Sequence, residues 1–415
     1  MALCVWRGDA QARANIWHAT PALVDIGDTF TLTINRKDVI VTATAATVAN
    51  VIGLFITAIT AATDPEWQEV TATNGTTYLI LTGPSDGKPV TITGTSTGGT
   101  NTVNEITTAT GPNWFSNTEN WSGGAVPVDA DEIDFGSSTV GCYYGLAQGT
   151  TTPATIRRPA GGPPIGLPDW TGTYWEYRDK YLALGNAADA QIMTIILGEG
   201  EGSGGGRCKI DAADCQVTGI VHATGTSTDE YPAFLFKGTH ASNAFTIYKG
   251  SVGIAVLSGE VATVLTLTMG YESSQDSDAE VICGKGVTLG TVVKNGGILT
   301  LGHETAVVAS MTNYAGDATI NGTSGVTVLI VRGGTVYYNT TGTLAGAPIV
   351  SELGSLDFSR DLRAKTVTNP IEVYGDEATV KDPNKSVTAL VLDWNETTRL
   401  ADIGRHIRIT RGAVA

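Results

Sequence analysis

The residues able to do chemistry are few and scattered. Five histidines (His18, His222, His240, His303 and His406) form no His-x-x-x-His or His-Glu-x-x-His pair, so no helix face offers two imidazoles to a metal. Five cysteines (Cys4, Cys142, Cys208, Cys215 and Cys283) are odd in number, irregular in spacing and without a Cys-x-x-Cys. Neither a zinc site nor a disulfide framework is indicated, and reduced thiols are expected, with a Cys208–Cys215 bridge as the alternative. No Gly-x-Ser-x-Gly elbow occurs. A formal Gly-x-Gly-x-x-Gly at Gly200, Gly202 and Gly205 lacks the Lys-Ser/Thr of a phosphate loop, and Glu199 and Glu201 would repel phosphate. The residues after it, Arg207-Cys-Lys-Ile-Asp211, read as a strand, whereas a dinucleotide fingerprint must open a helix. No metal, cofactor or catalytic residue is expected.

Two features keep carbohydrate chemistry open. Paired carboxylates hydrolyse glycosides, and Asp276 with Asp278, or Asp357 with Asp361, are the candidate pairs. Asp276–Asp278 reads more simply as part of a polar loop, and alternation in Leu-Asp-Phe turns Asp357 outward. An aromatic cluster, Trp170, Tyr174, Trp175, Tyr177 and Tyr181, follows a proline- and glycine-rich stretch at 159–168. Such rings stack on sugars, but they also plug cores and line subunit interfaces. An interface or plug is the preferred reading. Trp6, Trp17 and the segment 23–26 have no evident internal home and are assigned to the same kind of contact.

The elements that would hold any site are β-strands. Of 415 residues 51 are glycine, threonine and valine recur throughout, and only 16% are charged, which suits short strands and tight turns. The formal net charge of −16 disfavours nucleic acid. The basic run Arg405, His406, Arg408 and Arg411 reads as a solvated strand face, with an acidic partner subunit as the alternative. The first ten residues hold no apolar core of signal-peptide length, and the longest apolar stretch, 51–62, is too short to span a bilayer. Neither export by its own signal nor a membrane partner is expected.

Three regions follow. Residues 1–110 read as a small α+β docking or oligomerisation module. A hairpin lies at 29–44, a helix runs from an N-cap at Thr47 with Val48, Val51, Ile52, Phe55, Ile56 and Ile59 on one face, and three strands follow Asp64-Pro65. Residues 111–246 read as an irregular β region holding the aromatic cluster and the entry to a solenoid. Residues 247–415 repeat: glycine turns precede apolar strands at Gly250, Gly296, Gly316, Gly333, Gly354 and Gly375. A period near twenty predicts a right-handed parallel β-helix with about three short strands per coil. The fold class is mainly β.

Two segments carry a resemblance. Ile26-Gly-Asp-Thr-Phe-Thr-Leu-Thr-Ile34 through Pro89-Val-Thr-Ile-Thr93 resembles small β-rich modules of phage virion proteins. Asn113-Trp-Phe-Ser-Asn-Thr-Glu-Asn-Trp-Ser-Gly-Gly-Ala-Val-Pro127 resembles the entry segment before β-helices of bacterial surface proteins. With Leu356-Asp-Phe-Ser-Arg-Asp-Leu-Arg363, the chain is similar to uncharacterised phage and prophage structural proteins. The resemblance implies a non-enzymatic virion component assembled in the host cytoplasm, on the capsid or in the tail. Its partners would be other virion proteins and copies of itself, a trimer among the options. A polysaccharide-binding or -cleaving tailspike and a cell-surface adhesin are the alternatives.

Overall fold

The computed structural model describes residues 2–411 apart from 137, 168, 171–174, 177–180, 186–190, 200–206, 225–231, 273–277, 303–306, 324, 376, 389 and 395–407. The chain is mainly β and is dominated by two long parallel sheets, one of fourteen strands and one of eleven. From Met193 to Trp394 successive strands alternate between the two sheets, so the chain winds as a solenoid. The strands pair in register, as in Leu267 beside Val292 and Leu299 beside Ala318.

A third side is hidden within the long sheet. Val261–Met269 and Gly286–Lys294 pair from Val264↔Leu289 straight to Thr266↔Thr291, and Leu265 and Gly290 are skipped. The same skip recurs between the rungs Val307–Asn313 and Gly325–Val331. Each of these strands therefore bends at its middle and supplies two faces of the coil. A side chain at Gly290 would meet the Leu265 carbonyl oxygen at 2.5 Å, although the neighbouring rungs carry Leu265, Ala309 and Thr327 at the same bend. Inward residues alternate with outward ones: Ala262, Val264, Leu267 and Met269 are buried while Thr263, Thr266 and Thr268 are not. One continuous apolar core runs from Cys4 to Leu392.

The stack starts earlier than residue 247. Leu3–Val5 pairs with Glu132–Asp134, which pairs with Thr155–Arg157, and Thr155–Arg158 pairs with Thr194–Leu197. Most of the stretch 111–246 is thus solenoid, and the first residues of the chain form its first rung. The reason the period is invisible there is loop length, since only the turn-to-turn distance varies while the ladder stays in register.

Of the six expected corner glycines, Gly250, Gly316 and Gly354 stand in one turn column, and Gly296, Gly333 and Gly375 do not. The column entering the shorter sheet is Gly250, Ala279, Gly297, Gly316, Gly334 and Gly354, because Ile298, Asp317, Thr335 and Ser355 pair in succession. From Ala279 these corners fall 18, 19, 18 and 20 residues apart. Positive φ belongs to Gly297 and Gly334, not to Gly296 and Gly333, so at these two corners the residue directly before the strand makes the left-handed turn. Gly375 (φ +94) turns a different corner, the one leaving the long sheet after Tyr374.

The N-terminal module has its own core, separate from the solenoid's. Thr47 caps the helix Val48–Thr60 by accepting the Asn50 amide at 3.3 Å. That helix buries Val51, Ile52, Phe55 and Ile59 against two antiparallel sheets. Burying four such side chains stabilises the module by roughly 1.5–3 kcal/mol each. Two strands not read from the sequence, Ile16–Ala22 and Thr100–Thr107, pair with each other in the four-stranded sheet.

The glycine column gives a direct test. An alanine Cβ at Gly334 (φ +64) would lie 2.1 Å from the Gly316 carbonyl oxygen, whereas one at Gly124 (φ +67) would meet nothing within 4 Å. Gly124→Ala should cost about 1–2 kcal/mol, the left-handed strain alone. Gly334→Ala should cost ~3 kcal/mol or more, because backbone must move as well. Paired thermal melts of the two variants measure the difference.

Candidate functional site

The expected interface tryptophans divide. Trp6 is only 1% exposed and packs edge-on against Trp121, ring centroids 5.1 Å apart, with Phe115 and Phe135 completing the cluster. Its indole N–H donates to the Val140 carbonyl at 2.8 Å, and that of Trp121 donates to the Phe115 carbonyl at 2.7 Å. This aromatic plug closes the first rung of the solenoid, where the apolar interior would otherwise meet water. Trp17 is half-buried against the module core and donates to the Val90 carbonyl at 2.8 Å. Neither is a free interface residue. Trp170 and Trp175 are register partners in a short antiparallel pair, Asp169–Trp170 with Trp175–Glu176. Tyr174 and Tyr177 lie outside the described residues.

Asp357 and Asp361 are each taken up by local partners rather than facing each other as a hydrolytic pair. Asp357, expected to point outward, is 7% exposed and accepts the Ser359 amide at 2.7 Å, a turn cap. Asp361 is gripped by the Arg363 guanidinium, which holds its carboxyl below the usual range, and Lys365 stands 3.6 Å away. Asp276 lies outside the described residues. All five cysteines are buried free thiols. Burial pushes Cys208 up to about 11 and Cys283 up to about 12, so both behave as core hydrophobes.

Of the residues that do converge, only Tyr181 was singled out, as part of the aromatic cluster. A cleft of about 510 Å³ opens beside the corner where the chain leaves the shorter sheet. Its polar wall is Tyr181, Asp211, Lys237, Thr239, Ser258 and Glu260, drawn from successive coils. In-register pairing puts Asp211 beside Lys237, and their side chains form an ion pair at 3.0 Å. The Lys237 ammonium also sits 4.8 Å from the Tyr181 ring centroid. The Tyr181 hydroxyl is buried and makes no hydrogen bond of good geometry, yet the Glu260 carboxylate is near. Burial first, and then that carboxylate, raise the phenol well above its ordinary pKa. Gly238 and Gly259 leave the walls low, and Leu257 and Val261 add apolar rim. Acceptors, a cation and hydroxyls around a cleft of this size suit a small polyhydroxylated ligand.

Lys294 is a second unforeseen residue. It stacks inside the solenoid between Met269 and Asn313, fully buried, and its ammonium donates to the Ala315 carbonyl at 2.5 Å. Burial pushes it down to about 7, the Asp317 carboxylate opposing the shift. An unfolded lysine titrates near ~10.4. Below pH 7 both states hold the proton, and the folded state bears the full cost of a buried charge. Between pH 7 and ~10.4 the unfolded chain holds more protons, so the Lys294 contribution grows more favourable as pH rises through this window. Lys294→Met should therefore stabilise the protein at pH 6.5 by a few kcal/mol, with the gain shrinking by pH 9. Denaturant unfolding of both proteins at the two pH values checks this.

No family model matches this chain, and neither does any curated protein or solved structure.

Proposed function

We propose that the chain is a structural protein of a bacteriophage particle, a head-surface decoration that docks through its N-terminal module and carries the solenoid outward. The observation behind this reading is the unbroken apolar core running under two in-register ladders. Fourteen rungs at ~4.8 Å give a stiff body on the order of 60 Å long. A body held together rung by rung transmits position and load along its whole length. In this reading the helix is right-handed, as parallel crossovers almost always are. The module is the natural dock, since it has a separate core and stands beside the plugged end of the rod. The acidic balance keeps such a surface protein off packaged DNA. Decoration is preferred to a fibre because, among the described residues, the longest helix is Val48–Thr60 and no heptad-built stalk is present. Its partners are then other virion proteins.

Purified virions test the assignment. Quantitative mass spectrometry should find the chain at hundreds of copies per particle. A handful of copies would move it to the tail, and its absence from particles would end the reading in favour of a cell-surface adhesin.

A second reading rests on the cleft. Its mixed polar wall favours a glycan contact of the tailspike kind, by binding rather than turnover. Calorimetry with fragments of host surface polysaccharide should then show binding that weakens at least tenfold in Glu260→Gln and in Lys237→Met. Wild-type protein that releases no heat with any fragment removes this reading and leaves decoration untouched.

A further inference from the structure

The two long sheets differ in what they show to solvent. On the shorter one, Asp211, Lys237, Glu280, Asp317 and Lys381 lie in the strands and are not core residues. The long sheet does the opposite. Its eight consecutive rungs from Met193–Leu197 to Ile349–Ser351 contain a single charged residue, Lys294, and that one points inward. Yet 16% of the chain is charged. Outward positions there hold threonine, serine, valine and isoleucine in two columns, as in Thr266 and Thr268 beside Thr291 and Val293. Val328 on this face is 40% exposed. Charge returns only at the ends, at Arg157 with Glu132 and Glu199 and again at Glu372.

We infer that this uncharged face of the long sheet is where a second copy of the chain packs, ladder against ladder. Charge selects the occupant. Two copies of net charge −16 repel each other across any acidic surface, and this face lets them approach without facing like charges. Shape agrees, because a ladder with one repeat of ~4.8 Å presents ridges and grooves of the same spacing to its own copy. Area agrees as well. Eight rungs, two columns wide, give roughly 500 Å², and the stacked rings of Tyr248 and Tyr271, 4.7 Å apart, flank the strip. With the rings added the face stays below the ~800 Å² that each partner of a standard interface contributes, the size of a weak contact that forms as concentration rises. The inference stands apart from the virion reading, since a chain absent from particles could still pair this way.

Analytical ultracentrifugation of the full chain across 1–50 µM tests it. Wild-type protein should sediment as an oligomer whose population rises with concentration. Thr268→Lys with Thr312→Lys should weaken association at least a hundredfold, while Thr319→Lys on the shorter sheet should leave it unchanged. Circular dichroism confirms that the variants fold. Hydrogen exchange on the wild type gives a readout that needs no variant, with added protection at high concentration confined to the long sheet between Val261 and Val331. A wild-type monomer throughout this range overturns the inference, as does an oligomer indifferent to the paired lysines or protected elsewhere.

Discussion

No rung of this molecule can exist alone. A single coil has an inward face of a few aliphatic side chains and two open edges of backbone donors and acceptors. Only a coil above and a coil below satisfy both. Everything else in the solenoid follows from that requirement. Side chains must repeat in columns, corners must repeat in columns, and the stack must be closed where it begins. Hence Leu267 lies on Val292 and Val292 on Met311, each fully buried. Hence also the Trp6–Trp121–Phe115–Phe135 plug, which covers apolar interior that has no further rung to meet.

Stacking at strand spacing leaves little room at the corners, and that explains which positions are glycine. At Gly297, Gly316 and Gly334 a Cβ would collide with the carbonyl oxygen of the corner below, at 2.1–2.2 Å. The constraint is close approach as much as left-handed φ. Gly354 shows the two are separable: its φ is not positive, yet a Cβ there would lie 2.2 Å from the Val331 carbonyl oxygen. Ala279 occupies the same column and carries a methyl there. The interior is less strict about polarity than about shape. Lys294 and Asn313 sit in consecutive rungs because each reaches a carbonyl at the corner, Ala315 for one and Gly333 for the other.

The sequence made the later coils legible because their turns are short and the glycine spacing is nearly constant. Before Gly250 the same ladder is present, but the connections between Leu184 and Met193, Leu197 and Cys208, and Val221 and Phe234 are longer and unequal. Periodicity counts residues, whereas stacking counts rungs. The helix of the module was readable from its 3.6-residue stripe and its threonine cap. Trp6 was not, since Trp121 and Val140 lie over a hundred residues away and leave no local trace. The cleft was equally hidden. Its one available clue was that Cys-Lys-Ile-Asp211 and Phe-Leu-Phe-Lys237 each end an apolar strand in a charge, opposite in sign, one coil apart.

The junction between module and rod has a mechanical consequence. Leu3–Val5 makes the first rung, the chain then leaves to build the module, and it returns at Thr110 to complete the plug. Two chain segments therefore cross together, and they are clamped: Arg13 and Thr110 exchange both backbone hydrogen bonds, at 2.7 and 3.1 Å. The Trp114 indole donates to the Gly87 carbonyl of the module at 2.8 Å, and Asn120, fully buried, holds the Ala10 amide and the Gly111 and Trp114 carbonyls. A module hung on one strand would swing as on a tether. Inserted between the first rung and its plug, and bonded across both crossings, it holds a fixed direction relative to the rod. A force applied along the solenoid is thus delivered to the plug and its buried tryptophans rather than to a single peptide linker.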